Sequence, residues 1–312
     1  MNERNSKKTR KFKPKKTRIS KRFRGGYRGN YAYRNLNDLP NLEEGITDLR
    51  CQGNSLSSLP NLPSNLVSIV CSENKLTTLP QLPNSLEMLY CDNNQLTALP
   101  ELPENLIDIA CQDNKITILP NLPINLTRLD CAGNLLTQLP QIPDSLRIVN
   151  CSDNQLTRLP NLPNELTVLL CSNIGLAELQ TLPQHIQYLD VASNNITKLP
   201  NNIPQTLVRL NCANNPLTSL PKITSVRELT LSFDQIDLLT VDFIYSSLRF
   251  DPMFRSQGRQ RPIEIQVIDI DYRKRVDIDT LISYRRKWGQ VEDDDLGEII
   301  GCSLIARNDL CQ

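Results

Sequence analysis

The chain holds one histidine and one tryptophan in 312 residues, its aromatic share is 5%, and glycine occurs only 11 times. A single histidine, His185, leaves little room for a histidine-paired nucleophile or a centre of several imidazoles, and no Ser, Cys or carboxylate stands at a recognisable spacing from it. No glycine loop of phosphate-binding form occurs. No apolar run approaches the roughly 20 residues that cross a bilayer. The basic start leads into further basic residues rather than an apolar stretch of about 7–15, so no secretory signal is expected. These absences predict a nonenzymatic protein of a reducing compartment, cytoplasmic or nuclear, with no cofactor, no metal and no membrane contact.

What is present is a period. The twenty residues from Leu59, LPNLPSNLVSIVCSENKLTT, restart at Leu79, Leu99, Leu119, Leu139 and Leu159, with weaker copies from Leu39, Leu179, Leu199 and Leu220. About ten copies of L-P-x-L-P-x-x-L-x-x-L-x-C-x-x-N-x-L-T-x therefore run over 39–240. Within a copy, Ile69 and Cys71 alternate with exposed positions, which predicts a short half-buried strand, and one strand per copy stacked in parallel makes a continuous sheet. The Asn three places after Cys (Asn54, Asn74, Asn94, Asn114, Asn134, Asn154) is expected to form a ladder, its amide bonding backbone groups that would otherwise be buried unpaired. Paired prolines such as Pro80 and Pro83 fix an extended, polyproline-like return path with no helix. One copy alone has too few apolar side chains to offset the entropy of ordering it, so stability must come from stacking.

This motif resembles the short-repeat class of leucine-rich repeats found in YopM-like and IpaH-like bacterial effectors, which share the L-P-x-L-P opening. The resemblance covers about two thirds of the chain. It implies a mainly β solenoid, a horseshoe with its parallel sheet on the open face, and a role in protein–protein interaction. A looser resemblance links basic tails on short repeats to leucine-rich-repeat proteins of large DNA viruses. The ubiquitin-ligase activity of IpaH-like proteins belongs to a separate domain with a Cys-x-Asp motif. Cys302 and Cys311 here do not match it.

Charge is unevenly placed. Residues 1–34 carry fourteen Lys or Arg against Glu3 alone, a net of +13, while the remaining 21 basic and 33 acidic residues give −12. Residues 1–38 are therefore expected to be a disordered basic arm. Lys7, Lys8, Arg10, Lys11, Lys13, Lys15, Lys16, Arg18, Lys21, Arg22, Arg24 and Arg28 are the candidates for contact with nucleic acid or an import receptor. The Arg-Gly-Tyr box from Arg24 to Tyr33 has the composition of single-strand binders. Removing 1–34 should then leave thermal unfolding unchanged.

Eight of the ten cysteines (Cys51, Cys71, Cys91, Cys111, Cys131, Cys151, Cys171, Cys212) share one repeat position, which Val191 and Leu231 fill elsewhere. They are read as small core hydrophobes, because a single file of thiols neither surrounds a metal nor brings Cβ atoms to the disulfide distance. The period loosens at Ile174, where Asn is missing, and at Gln180, where Pro is missing; this reads as drift. Residues 241–312 are expected to be a small α+β cap, with a strand in Pro262–Tyr272, a helix in Asp279–Trp288 and a mobile loop between Phe250 and Arg261.

On the open face, two apolar groups interrupt otherwise polar columns: Val70, Met88 and Tyr90, then Ile148, Val168, Leu170 and Tyr188. Neighbouring apolar residues on a solvent face mark partner sites. The expected function is a protein–protein contact there, with the arm for localisation or a second contact. Nucleic-acid binding through the arm, with the repeats as spacer, is the alternative. Either role would be played in the host cell if a pathogen exports the chain or a virus encodes it.

Overall fold

The computed structural model describes residues 27–238 and 264–268. Those residues form one parallel sheet of twelve strands in sequence order. The strands are β1 (Tyr27–Asn30), β2 (Ile46–Arg50), β3 (Ser68–Val70), β4 (Met88–Tyr90), β5 (Asp108–Ala110), β6 (Arg128–Asp130), β7 (Ile148–Asn150), β8 (Val168–Leu170), β9 (Tyr188–Asp190), β10 (Arg209–Asn211), β11 (Glu228–Ser232) and β12 (Glu264–Ile268). From β2 to β10 pairing stays in register, so that Leu49, Ile69, Leu89, Ile109, Leu129, Val149, Leu169, Leu189 and Leu210 form one file. Every member of that file is at most 1% exposed. The leucine-rich-repeat solenoid expected from the period is thus the fold, with extended return segments and no α-helix among the described residues.

Two columns hold the stack together beyond apolar burial. The cysteine column is 0% exposed in all eight copies, and Val191 and Leu231 occupy it at 0% as well. The asparagine column makes the ladder. Asn114 donates from Nδ2 to the Cys91 and Cys111 carbonyls, both at 3.1 Å, and its Oδ1 accepts from the Leu96 amide at 2.9 Å. The same set recurs at Asn74, Asn94, Asn134, Asn154, Asn194 and Asn215. Each side chain therefore bonds its own turn and the preceding one, which is why the position admits few substitutes. The residue just before it has positive φ in copy after copy, from Gly53 at 68° to Asn214 at 55°. Asn, Asp and Gly dominate there because they tolerate that region best.

The N-terminal end corrects the sequence expectation. Residues 27–38 are not a disordered extension of the arm. Tyr31 stands in the cysteine column, its amide donating to the Arg50 carbonyl at 2.7 Å as Cys51 donates to Val70 at 2.8 Å. Leu36 takes the next leucine position and packs on the core. Asn54 binds this segment as every rung binds the turn before it, accepting from the Leu36 amide at 2.9 Å and donating to the Tyr31 carbonyl at 2.9 Å. Tyr33 lies where a Cβ on Gly53 would overlap its ring. The part of the Arg-Gly-Tyr box from Tyr27 to Tyr33 is thus a partial copy that covers the first full turn, as repeat arrays need.

At the other end a 3-10 helix, Phe233–Leu238, follows β11. Gln235 sits twenty residues after Asn215 and takes over the rung: Nε2 donates to the Cys212 and Asn215 carbonyls at 3.1 and 2.8 Å, and Oε1 accepts from the Ser232 amide at 3.0 Å. The strand expected in Pro262–Tyr272 is present as β12, which extends the sheet in parallel with β11. The expected helix over Asp279–Trp288 and the Phe250–Arg261 loop lie outside the described residues.

Candidate functional site

Each three-residue strand buries its central side chain and directs the flanking two to the open face, where all but Ser68 and Ala110 are partly exposed. Register then fixes which side chains meet. Val70 pairs with Tyr90, next to Met88; Ile148 pairs with Val168 and Val168 with Tyr188, while Leu170 lies opposite Asn150 and Asp190. All seven residues are partly buried on the face, none in the core. Both groups predicted from sequence are therefore contiguous rows across neighbouring strands.

The Tyr90 hydroxyl donates to Asp108 Oδ2 at 2.8 Å, and burial with the Asp108 charge pushes that phenol up to about 12. Burial likewise pushes Tyr188 up to about 12. Both rings therefore remain neutral and present an apolar body with a polar tip, the chemistry favoured at contact sites. The surrounding carboxylates were legible as single letters but not as a group. Asp92 accepts from the Ser72 hydroxyl at 2.6 Å; Asp108 and Asp130 share Arg128, at 3.3 and 3.5 Å; Asp190 accepts from Asn211 at 3.1 Å and from the Ala192 amide at 3.1 Å. Of these four carboxylates only Asp108 and Asp130 meet the Arg128 guanidinium; Asn150 also donates to Asp130 at 3.0 Å, and Asp92 and Asp190 accept from neutral groups.

Desolvation raises the pKa of Asp130 and Asp190 above the usual carboxylate value. Their burial therefore favours the protonated form, and the cost of keeping Asp190 ionised is absent below about pH 4, the unfolded carboxylate value, and complete above the raised folded value. Asp190→Asn should raise the melting temperature at pH 7, with a gain that shrinks towards pH 4. An equal shift at both pH values would contradict this assignment.

The arm candidates Lys7, Lys8, Arg10, Lys11, Lys13, Lys15, Lys16, Arg18, Lys21, Arg22 and Arg24 lie outside the described residues. Arg28 does not belong with them: it is part of β1, and its Nε meets Asp48 Oδ2 at 2.8 Å, so its charge is engaged within the fold. Arg34 lies over the Tyr31 ring at 5.7 Å.

The loosened junction of the seventh and eighth copies does more than drift. Ile174 is 2% exposed in place of the ladder amide, and Asn194 compensates in part, its Oδ1 accepting from both Ile174 and Leu176 amides at 3.2 and 2.9 Å. Beside it, among the return segments rather than on the open face, a crevice of about 470 Å³ opens between Thr157–Leu162 and Leu176–Leu182. Gln180, read from the sequence as drift, lines this opening; Ile174 does not.

No group of His, Cys, Asp and Glu able to hold a metal occurs among the described residues. The eight cysteines are free and buried. Burial pushes Cys51, Cys151 and Cys212 up to about 12 and lifts the other five well above the usual thiol value, which removes the reactive thiolate. All eight should resist a thiol reagent without denaturant and react once the chain is unfolded; rapid native labelling would contradict the packing. No helix among the described residues is long and apolar enough to cross a membrane.

No protein-family model matches the chain, and no curated protein matches it. Solved structures do. YopM of Yersinia pestis, a leucine-rich effector protein, is 32% identical over 65% of this chain and 70% of its own, with a TM-score of 0.52. YopM of Yersinia enterocolitica is 31% identical over 63% of this chain, with a TM-score of 0.48, and this chain spans about half of it, 53%. The functional domain of InlJ from Listeria monocytogenes, which includes a cysteine ladder, is 28% identical over 61% of this chain and 44% of its own, with a TM-score of 0.54. Twenty-residue copies, the L-P-x-L-P opening, the buried cysteine file and the asparagine rungs together show that the chain belongs to the leucine-rich-repeat proteins, in the short-repeat class of YopM-like bacterial effectors.

Proposed function

We propose that this is a nonenzymatic interaction protein that holds another protein on the open face of its sheet, with Ile148, Val168, Leu170 and Tyr188 as the apolar anchor. The observation that carries this reading is the register. Three apolar side chains, Ile148, Val168 and Tyr188, lie side by side on β7, β8 and β9, with Leu170 two residues along β8 from Val168, where a face turned only to water would favour polar residues. Leucine-rich-repeat solenoids serve as interaction scaffolds, and a rigid stack positions such a row without reorganisation, which lowers the cost of binding. Likeness to an effector supports a host-cell setting for that contact, with the basic segment as an address or second contact.

Salt tests the reading. Capture through an apolar row should persist at high ionic strength and after nuclease treatment. A complex held by phosphate contacts of the basic segment weakens steeply with salt, because each neutralised phosphate releases counterions. Loss of capture by nuclease or by moderate salt would replace this reading with the nucleic-acid one.

A further inference from the structure

We propose that the junction between the turns of β7 and β8 is a hinge: behind the sheet the two return segments part while the strands stay paired, and the open face bends beneath its apolar row. This rests on the reading of that face as a contact surface and deepens it, because the pivot runs between Ile148 and Val168. Three observations carry it.

The first is a loss of ties behind the sheet. At the junctions on either side, an asparagine rung accepts from a leucine amide, Leu136 to Asn154 Oδ1 at 3.0 Å and Leu176 to Asn194 Oδ1 at 2.9 Å. The carbonyls of the same leucines accept from the Gln155 and Asn195 amides at 2.9 and 2.8 Å. Leu156, between them, has neither bond among the described residues. Ile174 stands where the rung should be and offers no acceptor, and Gly175, with a φ of 82°, does not donate to the Leu156 carbonyl. Leu156 is 0% exposed, so both groups are shielded from water as well as unpaired, a weak point in the stack. The bend that Thr157 and Thr197 make is absent at Ala177, and the crevice of about 470 Å³ opens along this line.

The second lies before the strands. There Asn125 donates to the Glu104 carbonyl at 3.3 Å and Ser145 to the Leu126 carbonyl at 2.7 Å, each tying its turn to the one before. Glu165 takes this place after Ser145, and an ionised carboxylate donates nothing. It meets Arg147 of the preceding turn only at 3.9 Å, in an exposed pair that water weakens.

The third is an intact pivot. Along the strands, the Cys151 amide donates to the Leu170 carbonyl at 2.8 Å, Asp153 to Ser172 at 2.9 Å and Thr167 to Arg147 at 2.8 Å. Asn173 Nδ2 adds a bond to Asp153 Oδ1 at 2.8 Å. The junction is therefore tied along one line and loose behind it, so rotation about that line breaks few bonds and tilts Ile148 and Val168 towards each other in front.

Hydrogen exchange of the full chain, resolved to single amides, tests this. Leu156 should exchange about 10–100-fold faster than Leu136 and Leu176, the ratio that one or two missing bonds predict. Cys151 and Asp153 should stay as slow as Cys131 and Gly133, their counterparts one turn earlier. Ile174→Asn, which restores the rung, should slow Leu156 to the rate of its neighbours. Leu156 exchange as slow as that of Leu136 would overturn the proposal, since a wholly buried amide meets solvent only when the turns part. Fast exchange at Cys151 and Asp153 would also overturn it, because the junction would then unfold without a pivot, and so would fast Leu156 exchange that persists in a folded Ile174→Asn protein. The first two readings use the unsubstituted chain and stand even if that variant fails to fold. Fast Leu156 exchange in a protein whose partner capture ignores Leu170 and Tyr188 would uphold the hinge and defeat the partner site; slow exchange in a protein whose capture needs them would do the reverse.

Discussion

Asn114→Ala should lower the unfolding free energy by about 1–3 kcal/mol, because it leaves one buried amide without an acceptor and weakens the bonding of two carbonyls. The substitution strips the Leu96 amide of its acceptor at 2.9 Å and takes one of two donors from the Cys91 and Cys111 carbonyls, which keep Asn94 and Asn134 at 3.0 Å, in a position 9% exposed. An unsatisfied buried group costs about 1–3 kcal/mol, and water cannot enter between stacked turns to replace the amide. Asn125→Ala is the control. Asn125 is exposed and donates only to the Glu104 carbonyl at 3.3 Å, so its loss should stay within about 0.5 kcal/mol. Urea unfolding of the two variants checks the pair. Equal losses would mean that the asparagine column does not bind the turns together.

Removing residues 1–38 should lower the melting temperature by roughly 10–20 °C, whereas removing 1–26 shifts it by a few degrees at most. The partial copy from Tyr27 to Leu36 covers Ile46, Leu49 and Leu56, each at most 1% exposed, and supplies three partners of Asn54 beyond its own turn, the Arg34 and Leu36 amides and the Tyr31 carbonyl. Uncovering three such side chains costs about 4–6 kcal/mol, and each kcal/mol moves the midpoint about 2–4 °C in a domain of this size. Thermal unfolding of the two truncations beside the full chain decides it. Coincident curves would show that the solenoid begins at β2 and that the Arg-Gly-Tyr box only accompanies it.

The difference between these truncations marks where sequence reading stops. Leu66, Ile69, Cys71 and Asn74 repeat so regularly that the strand, the core file and the ladder are legible without coordinates. Tyr31 and Leu36 stand twenty residues before Cys51 and Leu56 and obey the same period. But a tyrosine in the cysteine column and Arg34 in the asparagine column broke the motif, and charge then outweighed register. Gln235 escaped notice for the same reason: a longer amide fills the rung only because the 3-10 turn moves the backbone to suit it. The apolar rows were legible because a strand's period of two assigns each side chain to a face. The carboxylates around them were not, since the pairing of Arg128 with Asp108 depends on a distance across strands that no single copy contains.

Partner capture by the double variant Leu170→Glu, Tyr188→Glu tests the central claim most directly. Both side chains point from β8 and β9 to the open face, so the variant should keep its cooperative unfolding while capture is lost, as for other central anchors of a contact site. Undiminished capture by the folded variant would contradict the account, and so would a loss of folding equal to the loss of binding, which would place these side chains in the core.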